Sequence, residues 1–301
     1  MSKRIIVVGE PCIDVIHKAD GRVFNEHGGI SYSVVASSIL DEDFEIVPVI
    51  GLHEADAQYF LNLFSQLSNV NLSGIYATGI RTRRVDLFYE DENQRWECST
   101  VPAEPTPLNR ILNFLPADGI HVNLISGADI ALNDLQSLRK ASMGAIIHLD
   151  LHNIVMQHLP NGKRVRASRE DYLSWCECAD TVQLNEEEAK VIDKTGPSFD
   201  VLAGKILSAG PRVVIITLAE RGMLFYQKEN KGFTKKYFLP QKVDVVDPTG
   251  SGDVLGAAFL HHIVSGLSFL EAAQKAFDMA VLKTGVAGPS GMLRWIGNIK
   301  V

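Results

Sequence analysis

Cysteine is scarce in this 301-residue chain: Cys12, Cys98, Cys176 and Cys178 are the only four. They show neither the paired spacing of a zinc site nor a disulfide framework. Cys176 and Cys178 flank Glu177 in a predicted helix, where residues two apart point away from each other. A reduced, cytoplasmic setting is the expectation. No apolar run reaches the roughly 18 residues of a transmembrane helix, and the short run Ile5–Val8 reads as a strand rather than a targeting signal. Positive charge is also thin, with 29 Lys and Arg against 36 Asp and Glu and a net charge of −7. Without a long basic run, nucleic acid is not expected as a partner. The Gly-x-x-x-x-Gly-Lys-Ser/Thr phosphate loop and the Gly-x-Gly-x-x-Gly fingerprint are both missing. A phosphate site, if there is one, has to come from some other element.

What is present is ordinary globular composition, 46% hydrophobic and 22% charged, and a regular alternation of elements. Arg4–Val8, Ile46–Ile50, Ile120–Ile125, Ala145–Leu151, Thr181–Leu184 and Val213–Leu218 read as strands. Helical patterns over Leu132–Ser142, Arg169–Cys178, Glu186–Lys194 and Val201–Ala209 separate several of them. The alternation predicts an α/β fold with a mostly parallel central sheet flanked by helices. Continuous apolar runs such as Val213–Ile216 suit strands covered on both faces. One region breaks the rhythm: Ile13–His17, Arg22–Asn25, Arg84–Glu90 and Arg95–Val101 look extended but have no crossover helices between them. Together with a polar turn at Glu90–Gln94, they predict a small antiparallel sheet at about 11–27 and 81–101, placed as a lid on a single domain spanning 1–301. An ordinary hairpin or a dimer surface is the competing reading.

The most informative stretch is Val245-Val246-Asp247-Pro248-Thr249-Gly250-Ser251-Gly252-Asp253, which leads into an apolar helix from Val254. Two glycines around a serine allow a sharp turn, and the N–H groups of a helix start make a site for an anion such as a phosphate. Asp253 then stands at the edge of that site, where a base could take a proton from an attacking hydroxyl. Alone, the run could equally be a capped helix start.

Other constellations are weaker singly. Asn185 with Glu188 three residues on is a capping-box pattern. It also lies at a strand's C-terminal end, where α/β sheets bind ligands and a carboxylate can organise Mg²⁺ through water. Gly28-Gly29 permits close backbone approach to a ligand ahead of the helical run containing Tyr32 and Ser33. Asp14 follows the first strand, and Thr217–Gly222 forms a strand-to-turn element. A different chemistry is suggested by His148, Asp150 and His152, which alternation on a strand would put on one face as ligands for Zn²⁺ or Fe²⁺.

Taken in order and spacing, these pieces resemble the ribokinase/PfkB carbohydrate kinases over nearly the full chain. Asp247–Asp253 is similar to that family's C-terminal signature, Asn185-x-x-Glu188 to its Mg²⁺/phosphate motif, and Asp14 with Gly28-Gly29 to its substrate region. The resemblance implies a ribokinase-like fold and phosphorylation of a hydroxyl on a small sugar or sugar-like substrate by ATP with Mg²⁺, with a nucleoside kinase on the same scaffold as the alternative. Asp253 would be the base, and the amides of Gly250, Ser251 and Gly252 the anion hole. Glu188 with Asn185 would hold Mg²⁺. Thr217, Gly222 and the helix near Asp278 would lie along the nucleotide, and Asp14, Gly28, Gly29, Ser33 and Asn153 at the acceptor. Asp247 and its turn would contribute to a monovalent-cation site such as one for K⁺, and the lid could form a homodimer interface.

The chain also departs from the family pattern. Ser33 stands where Asn is common, and Ile30 where ribokinases often carry Lys. Gly51-Leu52-His53 replaces a Gly-x-Asp stretch, and Ala219 takes a common Gly position. The phosphoryl end thus matches better than the sugar end, which favours an acceptor other than ribose. Tyr32, Phe24 and Phe88 are candidates for lining a nucleoside pocket. Arg81, Arg83 and Arg84 could meet an acceptor that already carries a phosphate, or could be a solvated lid edge. A non-catalytic nucleotide or sugar sensor is the reading from a different class.

Overall fold

The computed structural model describes residues 2–89, 95–99, 104–159 and 164–296. A nine-stranded sheet forms its centre. In spatial order the strands are Phe233–Phe238, Met223–Lys228, Val213–Thr217, Thr181–Asn185, Ile146–Asp150, Gly119–Asn123, Arg4–Val8, Glu45–Leu52 and Ile75–Ala77. Pairing is parallel from Val213–Thr217 to Ile75–Ala77, while Met223–Lys228 and Phe233–Phe238 add an antiparallel edge. This edge hairpin is missing from the sequence-based expectation. Phe233–Phe238 is mostly exposed and lysine-bearing, so it lacks the apolar run that marks the inner strands.

Alternate residues feed two cores. Ile5 and Val7 face one side with Phe259 and Leu260; Ile6 and Val8 face the other with Leu135 and Trp175. Period-two alternation on a strand buried on both faces accounts for the split. The helix Ser251–Val264 is buried along nearly its whole length. Such a helix cannot sit on the surface, and it lies between the sheet and the neighbouring helices Ser31–Leu40 and Phe269–Lys283.

A second sheet of four strands runs in the order Val23–Gly29, Pro11–His17, Arg83–Tyr89, Arg95–Cys98. This is the predicted small sheet. Its two outer pairings are antiparallel, but Pro11–His17 pairs with Arg83–Tyr89 in parallel. Its own core is small (Cys12, Val85 and Leu87, with Ile16 against them), and Val23 and Phe24 are exposed on it. The expected turn Glu90–Gln94 and the end of the expected strand at 100–101 lie outside the described residues. Among the described residues, no helix is long and apolar enough to cross a membrane.

Candidate active site

Between the small sheet and the C-terminal edge of the parallel strands lies a cleft of about 2410 Å³. Its lining includes Asp14, Gly29, Asn153, Asn185, Glu188, Thr217, Gly222 and the whole run Asp247–Asp253. Residues predicted from five distant segments therefore meet in one place, at the strand ends where open α/β sheets bind ligands.

The floor is the start of the helix Ser251–Val264. Gly250 is its N-cap, with φ +77°, and a Cβ there would come within 2.4 Å of the Tyr32 ring. Only glycine fits both the left-handed backbone and the packing. Ser251 N–H donates to Pro248 O at 3.2 Å and so is committed to the turn.

Asp253, one residue into the helix after Gly252, is buried and accepts a hydrogen bond from Asn123 Nδ2 at 2.6 Å. Burial pushes its carboxyl up, opposed by His152, the Asn123 bond and Lys283. Gln183 Nε2 donates both to Gly252 O, at 2.9 Å, and to Asp150 Oδ2, at 2.7 Å. Asp150, His152 and Asp253 each offer an atom within 4.8 Å of the others. Burial raises Asp150 to about 8 and Glu188 to about 7. Both Glu188 oxygens accept from Asn185, from its N–H at 2.7 Å and from its side-chain amide, and Asn185 Oδ1 in turn caps Glu188 N–H at 2.9 Å. The capping box is thus real and the carboxylate still faces the cleft.

The expected metal trio of His148, Asp150 and His152 does not form. The strand ends at Asp150, and His152 sits in a 3₁₀ turn with φ +34°. His148 is fully buried instead, bonded to Thr181 Oγ1 at 2.8 Å and stacked on His121 at 5.3 Å. Asp253 takes its place beside Asp150 and His152, joining a helix to a strand end.

Other predicted residues separate. Gly28 lies beneath Asp14, whose carboxyl would be only 2.4–2.5 Å from a Cβ at that position. Ser33 is fully buried under the helix, 3.4 Å from Asp253 O and 3.3 Å from His121 Nε2. Asp278 lines a neighbouring hollow of about 510 Å³ and accepts from Gln274 at 3.0 Å. Ile30 is fully buried in the core. Of the aromatic candidates, Tyr32 and Phe24 line the cleft, while Phe88 stacks on His17 at 4.2 Å. Arg81 and Arg84 face Asp56 at 3.6 and 3.8 Å, whereas Arg83 lines the cleft, buried against Glu10 and Ser99.

Asp247 accepts Thr249 N–H at 2.9 Å and Gly288 N–H at 3.2 Å. Lys283 Nζ donates to Asp247 O at 2.9 Å, to Asp247 Oδ2 at 3.3 Å and to Thr249 O. Burial alone would raise the Asp247 carboxyl, but Lys283 and the two N–H donors hold it below its usual range. Asn123, Gln183 and Lys283 were not legible as site residues. Their one signal is a polar residue at or within an otherwise apolar element.

Comparison with known proteins places the fold and the family. A stretch of 282 residues is 24% identical to the cytidine kinase of Thermococcus kodakarensis, covering 92% of this chain and 94% of that protein. A shorter stretch of 105 residues is 32% identical to the probable chloroplastic fructokinase-6 of Arabidopsis thaliana, covering 35% of this chain and only 26% of that protein. The fold superposes on the crystal structure of ribokinase from Thermotoga maritima with a TM-score of 0.76 and 19% identity, covering 96% and 95% of the two chains. The fold is therefore that of the ribokinase-like enzymes. The pfkB family carbohydrate kinase model matches residues 136–295, more than half of the chain, and the protein belongs to that family of kinases.

Proposed function

We propose that this protein transfers the γ-phosphoryl group of ATP to a hydroxyl of a small sugar or sugar-like acceptor. The observation that carries the reading is Asp253. It is a buried carboxylate in the first turn of a helix, held by Asn123 at 2.6 Å, at the floor of a cleft large enough for two substrates. Burial raises its proton affinity, which suits a general base. The acceptor O–H gives its proton to Asp253 as its oxygen forms a bond to phosphorus. The bond from phosphorus to the ADP oxygen then breaks, and the electron pair leaves with ADP. The helix-start amides around Gly250 and Gly252 stabilise the charge on the transferring group. Since Ser251 N–H serves the turn, its neighbours carry most of this role.

The donor set fits Mg²⁺. Asp150 and Asp253 are hard oxygen donors gathered beside His152, and Glu188 lines the same cleft. Burial, and then the neighbouring acids, raise the Asp150 and Glu188 carboxyls against the opposing charge of His152, so a cation there would be favoured. Mg²⁺ bound there supplies charge neutralisation for the phosphates. Asn185 orients Glu188, and Thr217 and Gly222 line the end of the cleft assigned to the nucleotide. Asp14, Gly29 and Asn153 line the end assigned to the acceptor.

A nucleoside acceptor is the second reading. Tyr32 and Phe24 supply aromatic surface in the cleft, and a relative that aligns along nearly the whole chain is a cytidine kinase. The test is ADP formation from Mg-ATP against sugars, sugar phosphates and nucleosides, with Asp253→Asn in parallel. Turnover with one acceptor, reduced at least ~10²-fold in the variant, supports the reading and names the acceptor class. Undiminished turnover in Asp253→Asn removes the base, and no acceptor-dependent ADP favours a binding protein without turnover.

A further inference from the structure

The resemblance assigns Asp247 and the turn ahead of the anion site to a monovalent-cation site. The structure puts a positive charge of the protein's own there. Lys283, in the last turn of the helix Phe269–Lys283, is fully buried, although lysine almost never is. Its Nζ meets three oxygens, Asp247 O at 2.9 Å, Asp247 Oδ2 at 3.3 Å and Thr249 O. Three acceptors match the three protons of an ammonium, whereas a neutral amine has only two to give. The Tyr32 ring lies 5.0 Å from Nζ and closes another side as a cation–π partner. Two of the three oxygens are backbone carbonyls, the ligand type that also serves a bare K⁺ ion, and ammonium and K⁺ share charge and similar size.

We propose that Lys283 is a tethered replacement for a monovalent cation, so that the turn Asp247–Thr249 and the anion site after it are organised without K⁺. The ammonium links that turn to the end of the helix Phe269–Lys283. Backbone bonds run in parallel from Val246 and Asp247 N–H to Thr284 O, and Gly288 N–H donates to the side-chain Asp247 Oδ2. The same Tyr32 ring that covers Nζ packs against Gly250. Lys283 thus acts on phosphoryl transfer through the turn, as a positioning residue. Burial draws the Lys283 ammonium down in pKa, and Asp247, Asp253 and Glu26 oppose that.

The inference rests on the kinase reading for its consequence in turnover, so its test includes two readouts that need no turnover. The first is the melting temperature of the wild type at constant ionic strength in potassium, sodium, ammonium and choline chlorides. The expectation is the same value in all four within about 1 °C. A gain specific to K⁺ or NH₄⁺ in the wild type overturns the proposal. The second is thallium(I) soaked into crystals as a K⁺ mimic: no anomalous peak is expected at the Asp247–Thr249 turn, and a strong peak there also overturns it. Lys283→Met should melt lower and regain ~2–4 °C in K⁺ or NH₄⁺ but not in choline, with phosphoryl transfer regained in the same order. If Lys283→Met folds and no cation restores it, the lysine is only a structural tie. If it does not fold, the wild-type melts and the thallium map decide alone. Selective rescue of melting without any acceptor turnover leaves the cation inference standing and counts against the kinase reading.

Discussion

Asn123, the last residue of a central strand, donates its side-chain amide to Asp253 Oδ1 at 2.6 Å, although the two are 130 residues apart in sequence. A carboxylate meant to receive a proton needs a fixed direction, and this bond fixes it. Asn123→Ala should lower kcat by about ten- to a hundredfold, or ~1.4–2.7 kcal/mol in barrier. Nucleotide affinity should stay within about twofold, because Asn123 bonds Asp253 from behind and is not among the residues lining the cleft. Steady-state kinetics with a nucleotide titration checks this; an unchanged kcat removes Asn123 from the mechanism.

The acidic pocket predicts a pH effect of definite sign. Asp150 is raised to about 8 and Glu188 to about 7, chiefly by burial. A raised folded-state value gives stability that is complete below the ordinary carboxylate range and is lost as pH rises through the shifted values. Without Mg²⁺ these two carboxyls should therefore lower the melting temperature progressively from the ordinary carboxylate range, about pH 4, up to about pH 8. Mg²⁺ takes the place of the protons, so it should flatten this limb and bind more tightly as pH rises. Buried neutral histidines act the other way. His121, lowered to about 3, and His261 and His262, lowered to about 4, contribute fully above the ordinary histidine value and lose that contribution as pH falls through the shifted ones. Melting curves with and without Mg²⁺ show both limbs, and an alkaline limb of the same slope in Mg²⁺ would count against metal binding at these carboxylates.

Ala219 holds φ +51°, a left-handed backbone without a glycine to relax it. The strain is about 1–2 kcal/mol, less about 0.4–1 kcal/mol of unfolded-state entropy if glycine is introduced. Ala219→Gly should therefore raise stability by up to about 1.5 kcal/mol, read as a rise of up to ~3–6 °C in melting temperature. Gly222, in the same turn, behaves oppositely. A Cβ there would lie 2.0 Å from Phe238 O at φ +105°, so Gly222→Ala should destabilise and weaken nucleotide binding together. Denaturation and nucleotide titration of the pair separate these effects.

Gly28 packs beneath Asp14, at the end of the cleft proposed for the acceptor. Its missing Cβ leaves room for the Asp14 carboxyl, 2.4–2.5 Å from where that atom would stand. Gly28→Ala should displace Asp14, raising the acceptor KM by about tenfold or more with the KM for ATP near its wild-type value. Equal effects on both substrates would place the change in the scaffold instead.

Much of this was readable from the chain because it is local. The strands Arg4–Val8 and Val213–Thr217 announce themselves by apolar runs that burial on both faces demands. The turn Asp247–Asp253 needs its glycines wherever it sits, and the capping box of Asn185 and Glu188 is a four-residue event. Tertiary structure alone decided what those pieces meet. Period-two spacing suggested that His148, Asp150 and His152 share a face, but the strand stops at Asp150 and the fold brings in Asp253 instead. Lys283 in a last helical turn reads as a favourable charge against the helix dipole. Only the crossing of Phe269–Lys283 over the turn at Asp247 makes it a buried ammonium with three oxygen partners. Asn123 and Gln183 likewise look like polar interruptions of strands until the helix from Ser251 lies across them. Backbone conformation follows from neighbours a few residues apart. The charge, proton affinity and ligands of a buried group follow from neighbours a hundred residues away, brought near only when the two cores close around the sheet.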